Sequence, residues 1–105
     1  MHITLARDHS DLIIHIDGVL SFHHYLEGDE LIDGIRAAIA QQKPTIIRFD
    51  LSKTQSLDSH WLGTFIRIFR RAKEQQIDMI IEHASADVRR LFSLVQIDRI
   101  ITITP

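Results

Sequence analysis

Residues 46–52 read Ile46-Ile47-Arg48-Phe49-Asp50-Leu51-Ser52, and residues 57–63 read Leu57-Asp58-Ser59-His60-Trp61-Leu62-Gly63. The first run, with Thr45 before it, is dense in apolar and β-branched side chains and predicts a strand over 45–51 in the middle of a sheet. Ser52 to Ser56 is polar and predicts a loop. The second run changes period. Leu62, Phe65, Ile66, Phe69 and Ala72 share one face of a helix running to about Gln75, and His60, Thr64, Arg67, Arg70, Arg71 and Glu74 share the other. A strand, a short loop and a helix opening on Asp-Ser form half of a crossover unit, so the flanking segments decide the fold class.

Downstream, Ile77 to Glu82 predicts another strand. Ser85 caps a third helix carrying Val88, Leu91, Phe92 and Val95, and Arg99 to Thr104 predicts a last strand. Upstream, Leu31, Ile35, Ala38 and Ile39 mark a helix from about Gly28 to Gln42. Pro44 ends it, and its start falls between Phe22 and Asp29. Leu12 to Asp17 is a β-branched strand closed by Gly18, and His2 to Arg7 pairs with it as a hairpin across Asp8–Asp11. The order β-β-α-β-α-β-α-β predicts one α/β domain over residues 1–105. Its sheet is mixed but mostly parallel, with right-handed crossovers. Because the two opening strands meet directly, the helices are expected mainly on one face.

Composition narrows the function classes. With 105 residues, 45% apolar and 25% charged, the chain suits a single core without staples. A formal net charge of −2 gives no broad field to attract nucleic acid or anionic lipid. The absence of cysteine removes disulfides, thiolate metal sites and thiol catalysis, and fits a reducing, cytoplasmic setting. No apolar run approaches the ~18 residues of a membrane span. The start of the chain lacks the basic and apolar blocks of a signal peptide.

Asp58 and Ser59 are both residue types that accept the free N–H groups at a helix start. Alone, the pair reads as an ordinary N-cap. The same free donors and the helix dipole also favour an anion. A phosphoryl group on Ser59 would meet that positive end and the repelling Asp58 together, changing the surface by nearly two charges without demanding a new fold. That is the physics of a switch read by a partner.

Taken in order, Gly18, Ile46 to Ser52, Leu57-Asp58-Ser59, Leu62-Gly63, Arg70-Arg71-Ala72-Lys73, Ser85 to Phe92 and Ile97-Asp98-Arg99-Ile100 make the chain resemble the bacterial STAS family, the fold of the anti-sigma factor antagonists. The resemblance implies that Ser59 is phosphorylated by an anti-sigma factor acting as a serine kinase and restored by a phosphatase. It also implies that Asp58, Ser59 and Gly63 lie on the partner surface. The family's loop–helix motif is usually Asp-Ser-Ser-Gly. Here His60 stands at the second hydroxyl position and Trp61 at the glycine, where a partner's backbone comes close. Ser21 stands where the family often carries an acidic residue, and Ser21 to Gly28 is a few residues longer than its usual pattern.

Trp61 falls at the edge of the apolar stripe. It reads either as half-buried under the preceding loop or as an exposed aromatic anchor. His60, Thr64, Arg67 and Arg71 share the outward face, which is either a solvated surface or a recognition strip beginning at Ser59. The expected partner-binding set is therefore Asp58, Ser59, His60, Trp61, Gly63, Thr64, Arg67 and Ser21. Seven histidines occur, but His23-His24 and the remote His60 have no metal-ligand spacing, so neither metal nor cofactor is expected. Nucleophile-elbow, phosphate-loop, dinucleotide and zinc-protease motifs are absent, and no enzymatic activity is expected. Two other roles stay open. One is an unphosphorylated subunit or scaffold of a larger assembly, such as a stressosome-like particle, a lipid-transport ATPase complex or a self-associated form. The other is a domain sensing a nucleotide or lipid in a groove beside Ser59.

Overall fold

A computed structural model describes residues 1–104. The elements are β1 (His2–Asp8), β2 (Asp11–Leu20), α1 (Tyr25–Gln42), β3 (Ile46–Asp50), β4 (Thr54–Leu57), α2 (Ser59–Glu74), β5 (Asp78–Glu82), α3 (Ala86–Leu94) and β6 (Thr102–Ile103). Single 3₁₀ turns precede α1 at Phe22–His24 and β6 at Ile97–Arg99. The sheet runs β1-β2-β3-β5-β6, with β4 paired to the end of β2. Only β1 is antiparallel to its neighbour.

Period two decides which face is buried. Leu12, Ile14 and Ile16 of β2, Ile47 and Phe49 of β3, and Met79 and Ile81 of β5 point to one side and are buried. There they meet Leu31, Ile32 and Ile35 of α1, Phe65 and Ile68 of α2, and Val88 and Phe92 of α3. Phe65 stands edge-on to both Phe49 and Phe92, at centroid distances of 5.1 and 5.7 Å. The alternate residues, His15, Arg48, Asp50 and Glu82, form a face without helices. Arg48 ties three strands there, donating to Asp11 at 2.7 Å and to Glu82 at 3.0 Å. Those two hydrogen bonds raise the guanidinium's pKa further.

The expected class, mixed parallel sheet and one-sided helices are all present. Helix α1 starts at Tyr25, inside the expected window of Phe22 to Asp29. Three details differ. Ser52 to Ser56 is not all loop. Its second half begins β4, because Thr54 turns inward, buried, with its hydroxyl donating to the carbonyl of Ile16 at 2.8 Å. Gly18 does not end its strand. At φ +120° it forms an irregularity where β2 leaves β3 and takes up β4 as partner. The last strand shrinks to two residues, because Ile97–Arg99 forms a 3₁₀ turn with Ile97 in the core.

Candidate functional site

The site forms where β2 and β4 end side by side. Leu20 pairs with Leu57, and the Asp58 N–H donates to the Leu20 carbonyl at 3.0 Å. Asp58, still extended (φ −106°, ψ −177°), caps α2, its Oδ1 accepting the Trp61 N–H at 3.2 Å. Its other oxygen, Oδ2, accepts the Phe22 N–H at 2.7 Å. A single carboxylate thus holds the start of α2 and the segment entering α1. Ser59 is the first residue of the helix and is exposed.

Trp61 forms a second tie between the same two segments. It is 0% exposed, and its indole N–H donates to the Ser21 carbonyl at 3.0 Å. The same carbonyl accepts the His24 N–H at 2.9 Å, closing the 3₁₀ turn. The indole lies beside Gly28, where an added methyl would stand 3.5 Å from the ring, so a larger side chain there would displace it. This corrects the expectation of a half-buried or exposed anchor. Trp61 is core, and it acts on the surface only through Ser21. Thr64 is also corrected. It is 2% exposed, beneath the helix rather than on its outward face, with its hydroxyl donating to the His60 carbonyl at 3.2 Å. Both errors have one cause. The buried stripe is Trp61, Leu62, Thr64, Phe65, Ile68 and Ala72, rotated from the expected one because the largest side chain takes the core. Ile66 and Phe69 consequently move to the flank.

What remains outward is Ser59, part of His60 and Gly63, and Arg67, with Ser21 partly exposed at the rim. A Cβ on Gly63 would meet nothing within 4 Å, so the surface there is open. Arg67 faces Asp29 of α1 at 3.7 Å, both well exposed, and such a pair contributes little to stability. Sequence reasoning missed the aromatic ledge beside Ser59. Phe22 is 60% exposed and Tyr25 44%. Their rings stack at 5.8 Å, and His60 stands edge-on to Phe22 at 5.7 Å. The visible signal was Phe22-His23-His24-Tyr25 itself.

Asp50, at the end of β3, accepts the Ser52 N–H at 3.0 Å. Burial pushes its carboxyl pKa up, but hydrogen bonds from the Ser52 backbone and side chain, with attraction from His15 and His83, hold it below the usual range. That fixes the turn between β3 and β4. Among the described residues, no set of three His, Asp or Glu side chains converges as a metal site, and no helix is long and apolar enough to cross a membrane.

The sequence model described as the STAS domain matches residues 2–105. No curated protein matches the sequence. Among solved structures, the Bacillus cell fate determinant SpoIIAA in its phosphorylated form matches with a TM-score of 0.74 and 18% identity, over 99% of this chain and 92% of that one. An anti-sigma factor antagonist from Mycobacterium paratuberculosis matches with a TM-score of 0.78 and 18% identity, over 99% and 85%. A sulfate transporter family protein from Wolinella succinogenes matches at 0.78 and 10%, over 94% and 80%. Identities this low establish the fold alone.

Proposed function

Since the chain belongs to the STAS domain family, we propose that it is a protein-binding regulatory switch of the anti-sigma factor antagonist kind, set by phosphorylation of Ser59. The observation that carries this reading is an exposed serine hydroxyl at the first position of α2, next to a cap that grips a second segment. A phosphate brings about −1.5 to −2 charges. The free N–H groups of the helix start favour it, and the Asp58 carboxylate repels it. Because Asp58 also holds Phe22, that conflict falls on the aromatic ledge as well as on Ser59. A partner docked across both would lose a shaped apolar surface and meet new charge. Tenfold weaker binding needs only about 1.4 kcal/mol. With its indole in the core, Trp61 leaves the family's glycine position free of obstruction.

The partner in this reading is an anti-sigma factor with serine kinase activity, and a phosphatase reverses the modification. The chain acts by binding and not by catalysis, in the cytoplasm. The test is to incubate it with serine kinases encoded near its gene, map the modified residue, and measure kinase binding before and after. Phosphate on Ser59 and at least tenfold weaker binding are expected. Modification elsewhere, with Ser59→Ala binding and responding like the unaltered protein, would discard the mechanism.

The exposed Phe22–Tyr25 pair also favours a second reading, a permanent subunit of a larger assembly such as a stressosome-like particle or a transporter complex. Recovery of a stable complex from native lysate that ignores Ser59→Glu but is lost on Phe22→Ser would favour the subunit role over the switch.

A further inference from the structure

Helices α1 and α2 end together at the far end of α2 from Ser59, roughly 22 Å away at the ~1.5 Å rise per residue of a helix. A cavity of about 510 Å³ opens there, within the range of small-molecule sites. Its apolar lining includes Ile39, Pro44 and Ile77, and its charged lining is Arg36, Lys43 and Arg71. No carboxylate lines it. Among the described residues none of these three cations has a carboxylate within 4.0 Å, whereas Arg48 and Arg67 are both paired. Lys43 is held in place, in the left-handed conformation (φ 45°) with its N–H donating to the Ile39 carbonyl at 3.2 Å.

Charge and shape together select an occupant. Each helix C-terminus carries about −0.5 charge, so the two helix ends offset about one of the three cations. The remaining charge of about +2 matches a phosphomonoester, at about −1.5 to −2, better than a carboxylate. Arginine forks also suit phosphate oxygens. No aromatic ring lines the cavity, so a nucleobase would find no stacking platform, while Ile39, Pro44 and Ile77 offer an aliphatic wall.

We propose that this cavity binds an aliphatic phosphomonoester, its phosphate among Arg36, Lys43 and Arg71 and its chain against Ile39, Pro44 and Ile77. The site is independent of the Ser59 switch and stands or falls separately. The test is an amide NMR titration of the full chain with octyl phosphate below its micelle concentration, against octanoate, AMP and inorganic phosphate. Saturable shifts at Lys43 and Ile77 are expected with octyl phosphate, with affinity at least tenfold above the other three. The double variant Arg36→Gln, Arg71→Gln should weaken binding at least tenfold while its spectrum elsewhere stays unchanged. Absence of shifts at millimolar octyl phosphate, or unchanged affinity in the double variant, overturns the site. Equal binding of inorganic phosphate overturns the aliphatic part, and tighter binding of AMP replaces it with a nucleotide.

Discussion

Helices α2 and α3 begin in the same way and are built into the molecule differently. Each follows the end of a parallel strand. Each has an extended cap whose side chain accepts the N–H three residues on, Asp58 from Trp61 and Ser85 from Val88, both at 3.2 Å. In each, that third residue is fully buried. At α3 the arrangement is local. At α2 the cap's second oxygen and the buried indole both reach into residues 21–22, so one helix start fixes another helix's entry. A cap with one partner only starts a helix. A cap with two also carries a disturbance from residue 59 to a neighbouring surface.

The largest expected effect separates the two buried residues. Trp61→Ala removes the biggest core side chain and the bond to Ser21, and should cost about 3–5 kcal/mol in urea unfolding. Val88→Ala should cost about 2 kcal/mol. Equal losses would mean that the indole does not join the segments. Next come the caps. Asp58→Ala should cost about 2 kcal/mol and speed hydrogen exchange at Phe22, against about 1 kcal/mol for Ser85→Ala, with exchange rising only in α3. Loss of protection at Phe22 in both variants would erase the distinction.

A smaller effect tests transmission directly. Ser59→Glu and Ala86→Glu each place a carboxylate at the first position of a helix, and each should change stability by less than about 1 kcal/mol. Only Ser59→Glu should move the Phe22 and Tyr25 resonances. The smallest effect is acid sensitivity. The Asp50 pKa is lower folded than unfolded, so its contribution is complete above the unfolded carboxylate range and is lost as pH falls through the folded value. Below about pH 4, Asp50→Asn should therefore unfold with less pH dependence than the unaltered protein. The first amides to lose protection should be those at Ser52 and β4, not those of α3.

Much of this was legible beforehand. Strand and helix periods placed β3, α2, β5 and α3 within a residue or two, because core burial and local pattern agree there. The Asp-Ser pair marked where α2 starts, and the structure gives the cap to Asp58 and the exposed first position to Ser59. Trp61 and Thr64 were misplaced because helical periodicity fixes a stripe's width better than its centre, and the packing of Trp61 beside Gly28 and Ser21 settles the centre. β4 escaped notice because its inward threonine satisfies its hydroxyl on a neighbouring carbonyl, a long-range contact that composition does not record. The aromatic ledge is likewise a tertiary product, since Phe22 and His60 are distant in sequence.

The backbone turn at Gly18 has one more consequence. The ladder of Asp11–His15 with β3 and the ladder of Gly18–Leu20 with β4 share a chain but no hydrogen bonds. The corner bearing Ser59 therefore rests on its own ladder, separate from the one that closes the middle of the sheet. An alanine at residue 18 would carry a methyl in a left-handed backbone, 3.2 Å from the Met1 Cα, and would strain the joint between the two ladders.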